Sequence, residues 1–380
     1  MKSAAQAACA AVRGELVALS HRIHAHPELA FEEERAASWI GAMLDAQGFA
    51  VERGVCDTPT AFIARAGSGP LHVAICAEYD ALPAIGHACG HNIIAASSAG
   101  AGIALKRVAD DAGLTISVIG TPAEERGNDS GKIRLLERGA FDGMDMAMMV
   151  HPAPIDAVAP KLIAASMFEV LYSGKEAHAS AFPELGINAA DALTIAQTAI
   201  GLLRQHILQT DRIHGIVTNG GAAPNIVPAH TSARYIIRSE VLEDLARLRE
   251  KVVRCFEAGA IGSGSTVTMV GGDKPYAEVR HDPGIAEFYR RNAEAVGRRF
   301  PGRTPESDRF AASTDMGNIS RAVPSIHPFI GIDSLPAVNH QPEFAAHCIT
   351  AAADQAIIDA AVAMAWTAID VAEQRRAAAR

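Results

Sequence analysis

Three short clusters hold the residue types that could do chemistry: Cys89 with His91, Glu124 with Glu125, and His151. A thiolate and a neutral imidazole are donors that zinc, manganese or nickel accept, and Gly86 and Gly90 let the loop between them fold closely around an ion. Adjacent glutamates have a different use, because one can bind a metal while its neighbour acts as a general base on water. Each cluster also has a plain reading. Cys89 could be a small buried hydrophobe, His87 and His91 loop histidines, and the glutamates an acidic helix start; a bare Cys-x-His is weak alone.

The surrounding elements change that weight. Leu71-His-Val-Ala-Ile-Cys-Ala77 is a short, nearly all-apolar run that suits a strand buried on both faces. Glu78 and Asp80 therefore emerge at its carboxyl end, and Asn92 to Leu105 reads as a small-residue helix packed on the sheet. Leu114 to Gly120 is a second such strand and runs into Thr121-Pro-Ala-Glu-Glu-Arg-Gly-Asn128. Met144 to Val150 is a third and delivers His151-Pro152. Carboxyl ends of neighbouring parallel strands open onto one crevice, so the three clusters can meet in space.

Before these strands, residues 4 to 24 have helical periodicity, and Pro27 is predicted to open a helix running to about Gly48. His24 and His26 precede any strand end and read as structural. A further strand lies near Ala61 to Ala64. Alternating strands and helices predict an α/β fold with a mostly parallel, helix-covered sheet.

From about Ala165 the pattern changes. Strands are expected at Met167–Tyr172, Gly215–Asn219, Thr231–Ser239 and Thr266–Val270, with helices over Asn188–Gln205 and Leu242–Ala258. Two helices and four strands make a compact α+β unit, predicted as an insert over 165–273 between catalytic-domain parts 1–164 and 274–380. His178, Asn225 and Arg238 are its polar outliers. After it come a helix from Pro283, a small-residue loop containing Ser313-Thr-Asp-Met-Gly317, and His340 in an irregular segment, poised as one more ligand. A closing helix starts at Ala351.

The chain has 380 residues, 49% hydrophobic and 20% charged, enough for two domains. Its net charge of -9, without a Lys/Arg run, argues against a nucleic-acid partner. The tail Arg375-Arg376-Ala-Ala-Ala-Arg380 reads as a solvated helix end. Six cysteines without framework spacing suit reduced thiols in the cytosol. The N-terminus carries Arg13 and Glu15 and lacks an apolar core, so no signal peptide is expected, nor any membrane span of ~20 apolar residues.

With these motifs the sequence resembles the aminoacylase and carboxypeptidase family of co-catalytic metallohydrolases. Within it, the resemblance is to the amidohydrolase branch that contains p-aminobenzoyl-glutamate hydrolase, hippurate hydrolase, indole-acetyl-amino-acid hydrolase and a related dipeptidase. The markers are His26-Pro-Glu28, Asp80-Ala-Leu-Pro83, His87-Ala-Cys-Gly-His91, Pro122-Ala-Glu-Glu125, His151-Pro152, Gly174-Lys-Glu-Ala-His178, Asn225-Ile-Val-Pro228, Ser313-Thr-Asp-Met-Gly317 and His340. The resemblance implies two divalent ions per protomer, zinc or manganese first and nickel or cobalt next. Their implied ligands are Cys89, His91, Glu125, His151 and His340, with Cys89 where another branch has a bridging aspartate. It implies Glu124 as general base, His178 reaching the partner's site in a homodimer, and Asn225, Arg238 and Gly317 at the substrate. Asp80 would orient a ligand from behind it.

The wider branch usually has an aspartate where this chain has Glu78. The activity implied is metal-dependent hydrolysis of the amide of an N-acyl amino acid or a dipeptide with a free carboxylate. A narrow p-aminobenzoyl-glutamate hydrolase is the rival within that class, and a metal-loaded binding module without catalysis the rival outside it. The presence of both Glu124 and the full ligand set speaks against the module.

Overall fold

The computed structural model describes residues 1–302 and 312–378, so Ala379 and Arg380 of the tail lie outside the described residues. The larger sheet has the order β1-β2-β4-β3-β5-β11, built from β1 (Ala50–Arg53), β2 (Phe62–Gly67), β3 (Leu71–Ala77), β4 (Leu114–Gly120), β5 (Met146–Met148) and β11 (Ser325–Ile326). The pairs β3–β4, β3–β5 and β5–β11 are parallel, whereas β1 and β2 run antiparallel at one edge. Continuous apolar runs form the central strands because both faces are covered. Val73, Ile75 and Ala77 of β3 belong to one core cluster, and Ala74 and Cys76 to another on the opposite face.

Helices α1 (Lys2–Ala11), α2 (Arg13–His24), α3 (Glu34–Ala46), α4 (His91–Lys106), α5 (Ala109–Ala112), α9 (Pro283–Ala295) and α12 (Ala351–Ala378) contribute to the first cluster. Helices α6 (Gly131–Glu137) and α10 (Met316–Ala322) contribute to the second. The last helix, α12, is long and apolar enough to cross a membrane, contrary to the expectation that no run approaches that length. Most of its apolar stretch is buried inside the protein, against α4 and α9 among others. Its end also departs from a simply solvated terminus, since Arg375 Nη1 donates to Asp145 Oδ1 at 2.6 Å.

The second sheet is antiparallel, with the order β10-β7-β9-β8, from β7 (Ala164–Ser173), β8 (Arg212–Asn219), β9 (His230–Ser239) and β10 (Thr266–Gly271). Helices α7 (Ala189–Leu203) and α8 (Leu242–Ser263) share with it a separate apolar core that includes Phe168, Tyr235, Leu248 and Phe256. The alternating pattern of Met167–Tyr172 is that of a strand with one face on this core. A two-stranded parallel ladder joins β6 (His151–Ala153) to β12 (Phe329–Gly331), and α11 (Pro342–His347) follows His340.

Two sequence expectations need correction here. The helix after Pro27 starts at Glu34 instead, because Glu28 accepts the backbone N–H groups of Arg35 at 3.1 Å and Ala36 at 2.9 Å and caps the first turn from outside it. The run Met144–Val150 also forms only three residues of β5. His151 then belongs to its own ladder, where its N–H donates to Pro328 O at 2.9 Å.

Candidate active site

Strand β3 ends at Ala77 and strand β4 at Gly120, side by side in register, so both deliver their following residues to one end of the sheet. Gly90 caps α4 in the left-handed region at φ 79°, and an added Cβ would stand 2.4 Å from Pro152 Cγ. Only glycine fits there, which brings Cys89 and His91 against the His151 ladder. Cys89 Sγ lies 3.5 Å from His151 Nε2. Ala123, at φ 61°, turns the chain after β4 so that Glu124 and Glu125 face the same space. His340, at φ 69°, is tied by its N–H to Ala88 O at 2.8 Å, and its Nε2 is 3.4 Å from Glu125 Oε1.

Among the described residues these side chains form overlapping donor sets. Cys89, His91 and His151 make one set, and Cys89, Glu125 and His340 another, with all donor atoms of a set within 4.8 Å of one another. Cys89 is common to both. Glu124 adjoins them in a third set with His91 and Glu125.

The ring nitrogens are already sorted. His91 Nδ1 donates to Asp80 Oδ1 at 2.9 Å, and His151 Nδ1 to Pro152 O at 2.8 Å, which turns Nε2 of each ring toward the other donors. His91 Nε2, Glu78 Oε2 and Glu125 Oε1 are buried without a hydrogen-bond partner, an uncommon condition for polar atoms. Glu78 Oε2 is 3.4 Å and Glu125 Oε1 3.9 Å from His91 Nε2. Donors bonded to one tetrahedral ion at about 2.0–2.1 Å stand roughly 3.3–3.4 Å apart. The residues therefore fit divalent metal ions.

The fields in the site are uneven. Burial, reinforced by Glu78, Glu125 and Asp315, pushes the Glu124 carboxyl well above its ordinary range. Burial acts on Glu125 in the same direction, but the nearby His340 ring and the charge of His91 outweigh it and hold that carboxyl down. Two adjacent glutamates thus have opposite proton affinities. Burial pushes the Cys89 thiol well up and the His151 ring down to about 4, so His151 is neutral and available as a donor at ordinary pH.

The remaining sequence-predicted residues belong to none of these donor sets. Arg238, on β9, is half-buried and donates from Nη1 to Ser313 Oγ at 2.7 Å. Asn225 is exposed, and its carbonyl accepts from Ala179 N at 3.0 Å. His178 is exposed, and its Nδ1 accepts from the N–H of Ser180 at 3.3 Å and of Ala181 at 3.2 Å. Gly317 is in the first turn of α10, where an added Cβ would stand 1.9 Å from Ala277 O; that contact alone requires a glycine. His24 Nε2 bonds Ala345 O and His26 Nδ1 bonds Arg22 O, both at 2.8 Å.

Three residues of the site, Lys132, Tyr276 and Glu33, carried no sequence signal, and a fourth, Asp315, stood out only as part of the Ser313-Thr-Asp-Met-Gly317 motif. Lys132 and Asp315 are buried near Glu124, and Lys132 pairs with both Glu78 and Asp315. The Tyr276 hydroxyl donates to Glu124 O and accepts from Gly127 N–H at 3.0 Å. Glu33 Oε1 accepts from Ala123 N–H at 2.9 Å. Each is an ordinary residue in its own segment and becomes special only through a partner far along the chain.

Residues 165–262 match the family described as the peptidase dimerisation domain. The chain is 38% identical over 372 residues to the Xaa-Arg dipeptidase of Mus musculus, covering 94% of this chain and 85% of that one. It is 33% identical over 320 residues to one of the subunits of the p-aminobenzoyl-glutamate hydrolase of Escherichia coli, covering 79% of this chain and 62% of that one. Among solved structures, a dinuclear metal binding peptidase of the M20 family from Bacillus subtilis shares the fold with a TM-score of 0.71 at 21% identity, covering 96% of this chain and 99% of that one. These similarities, running over nearly the whole chain and joined to donor sets that fit divalent metals, establish that it belongs to the M20 family, metal-dependent peptidases and amidohydrolases that act on peptide or amide bonds.

Proposed function

We propose that this enzyme hydrolyses the amide bond of a dipeptide or N-acyl amino acid with a free carboxylate. The observation that carries the reading is the pair of donor sets joined at Cys89, with Glu124 beside them and in neither. Cys89, His91 and His151 would hold one ion, and Cys89, Glu125 and His340 the other. Zinc or manganese suits this mixture of thiolate, imidazole and carboxylate, with cobalt or nickel as alternatives. The ions, when bound, supply Lewis-acid polarisation of the amide carbonyl and ease the ionisation of water.

Glu124 takes a proton from the water that adds to the carbonyl carbon and gives it to the leaving amine. Its raised proton affinity suits the second half of that task. Asp80, with one oxygen on His91 and the other on the Glu125 N–H, holds a ligand ring and a ligand backbone in a fixed relation. Arg238 offers a planar fork to the substrate carboxylate, with Asn225 and the Gly317 turn at the substrate's edge.

The reading includes a homodimer through the unit spanning 165–273, inserted between parts 1–164 and 274–380, with His178 acting on the partner's substrate. It is supported by the dimerisation-domain match. The exposed position of His178 and the edge strand β8, which leaves Ile216 and Val217 exposed, also favour it. A reducing cytosol suits six cysteines that are all unpaired.

The test is amine release from a panel of dipeptides, N-acyl amino acids and p-aminobenzoyl-glutamate, using metal-stripped protein and then zinc, manganese, cobalt or nickel. Metal-restored turnover on dipeptides or acyl amino acids is expected. No turnover across the panel with two ions bound would overturn the reading, and turnover on p-aminobenzoyl-glutamate alone would replace it with the narrow specificity.

A further inference from the structure

Lys132 is fully buried, a rare condition for lysine unless it is paired. Its Nζ stands 2.5 Å from Glu78 Oε1 and 2.5 Å from Asp315 Oδ1, and its N–H donates to Asp315 Oδ2 at 3.1 Å. Neither carboxylate is exposed. Glu124 belongs to the same cluster, because one oxygen each of Glu78, Glu124 and Asp315 lie within 4.8 Å of one another. Three converging carboxylates are a donor set for a hard divalent cation. The second oxygen of Glu78 is buried without a hydrogen-bond partner and lies 3.4 Å from His91 Nε2, so Glu78 joins the lysine cluster to the donor sets described above.

We propose that Lys132 is a positioning residue that serves as a built-in cation, closing a third metal site among Glu78, Asp315 and Glu124 and so keeping Glu124 free to act as the base. An ammonium satisfies Glu78 and Asp315 with hydrogen bonds but takes no lone pair from Glu124 into a coordination bond. A divalent ion in the same space would bind all three carboxylates. The base would then be a ligand. This pairing also gives Glu78 a physical reason for being there. The inference rests on the two-ion reading above.

The experiment counts bound manganese per chain by plasma mass spectrometry after loading in excess Mn2+ and dialysis, and measures kcat and KM on the same samples. The wild-type count tests the two-ion reading by itself. The increment between variant and wild type tests this proposal. Lys132→Met is expected to bind one more ion per chain than wild type, with kcat down by about 100-fold or more and KM changed far less. The double variant Glu78→Gln/Lys132→Met, which lacks one of the three carboxylates, is expected to return to the wild-type count. Equal counts in wild type and Lys132→Met would overturn the proposal whatever the activity. Should Lys132→Met fail to fold, Lys132→Gln replaces it. Failure of both to fold in saturating Mn2+ also overturns the proposal, because it holds that a divalent cation can take the ammonium's place.

Discussion

Asp80 Oδ1 accepts the Nδ1–H of His91 at 2.9 Å, with both residues buried. Burial alone would raise the Asp80 carboxyl, but the charge and hydrogen bond of His91 and the Glu125 N–H outweigh it and hold it below its ordinary range. The same pairing raises the His91 ring well above its ordinary value despite burial. A carboxylate behind a histidine makes the opposite nitrogen a better metal donor and fixes where it points. Because the second Asp80 oxygen accepts from Glu125 N–H at 2.9 Å, one side chain sets the relation between the β3 end and the β4 end.

Asp80→Asn tests that link. The amide keeps one acceptor but turns the other into a donor that faces either His91 or the Glu125 N–H. Metal affinity, measured by chelator competition, is expected to weaken by about 10–100-fold while the apo protein still folds. Unchanged affinity would show that the ligands are held by other means.

Glu124→Gln keeps size and polarity and removes the proposed base. It is expected to retain the metal content of the wild type and to lose about 10²–10⁴-fold in kcat. His178→Ala is expected to be inactive for a different reason. If His178 serves the partner's site, mixing and re-forming dimers from these two inactive variants restores activity, because a hybrid has one site with both Glu124 and His178. No recovery in proven hybrids would place His178 outside the partner's chemistry.

The strand ends were legible because burial on both faces writes itself as an unbroken apolar run, as in Leu71–Ala77 and Leu114–Gly120. Cys89, His91, Glu124 and Glu125 could be read because uncommon residue types follow such runs directly. The inserted unit announced itself through a switch to alternation, visible in the burial pattern of β9. Edge strand β1 left no such trace, since most of Ala50–Arg53 is exposed and has no face to bury. Lys132 was invisible for a related reason. In Gly131-Lys-Ile-Arg-Leu-Leu-Glu137 it looks like any solvated helix residue, and its partners Glu78 and Asp315 are 54 and 183 positions away. The start of α3 was misplaced because its cap comes from Glu28, across a loop, where local rules favour Pro27.

Arg238 is half-buried, with Nη1 on Ser313 Oγ. If its fork holds the substrate carboxylate, Arg238→Lys keeps the charge and loses the two-pronged geometry. A charge-assisted hydrogen bond of about 1.5–3 kcal/mol corresponds to a loss of roughly 10–100-fold in kcat/KM, seen mainly as a higher KM. The preference of the wild type for a free carboxylate over the corresponding carboxamide is expected to shrink by a similar factor. A variant that loses kcat at unchanged preference would assign Arg238 to the architecture of the Ser313 loop instead.

Glu33 gives a test by pH that needs no substrate. Its side chain is fully buried, with Oε1 on Ala123 N–H and Oε2 unpartnered. Burial, with help from the Asp80 charge, raises its pKa from 4.5 to about 8. Between these values the folded state keeps a proton that the unfolded state gives up, so this group's contribution to stability is complete below pH 4.5 and is lost as pH rises through about 8. The full range is worth up to roughly 4–5 kcal/mol. Glu33→Gln preserves an acceptor for Ala123 and cannot ionise. In metal-stripped protein its melting temperature is therefore expected to gain on the wild type steadily from pH 5 to 9, and the two should nearly coincide at pH 5. Parallel curves would mean that Glu33 titrates alike in both states. A loss of metal binding in Glu33→Ala, but not in Glu33→Gln, is the companion expectation, because Ala123 is the turn that aims Glu124 and Glu125.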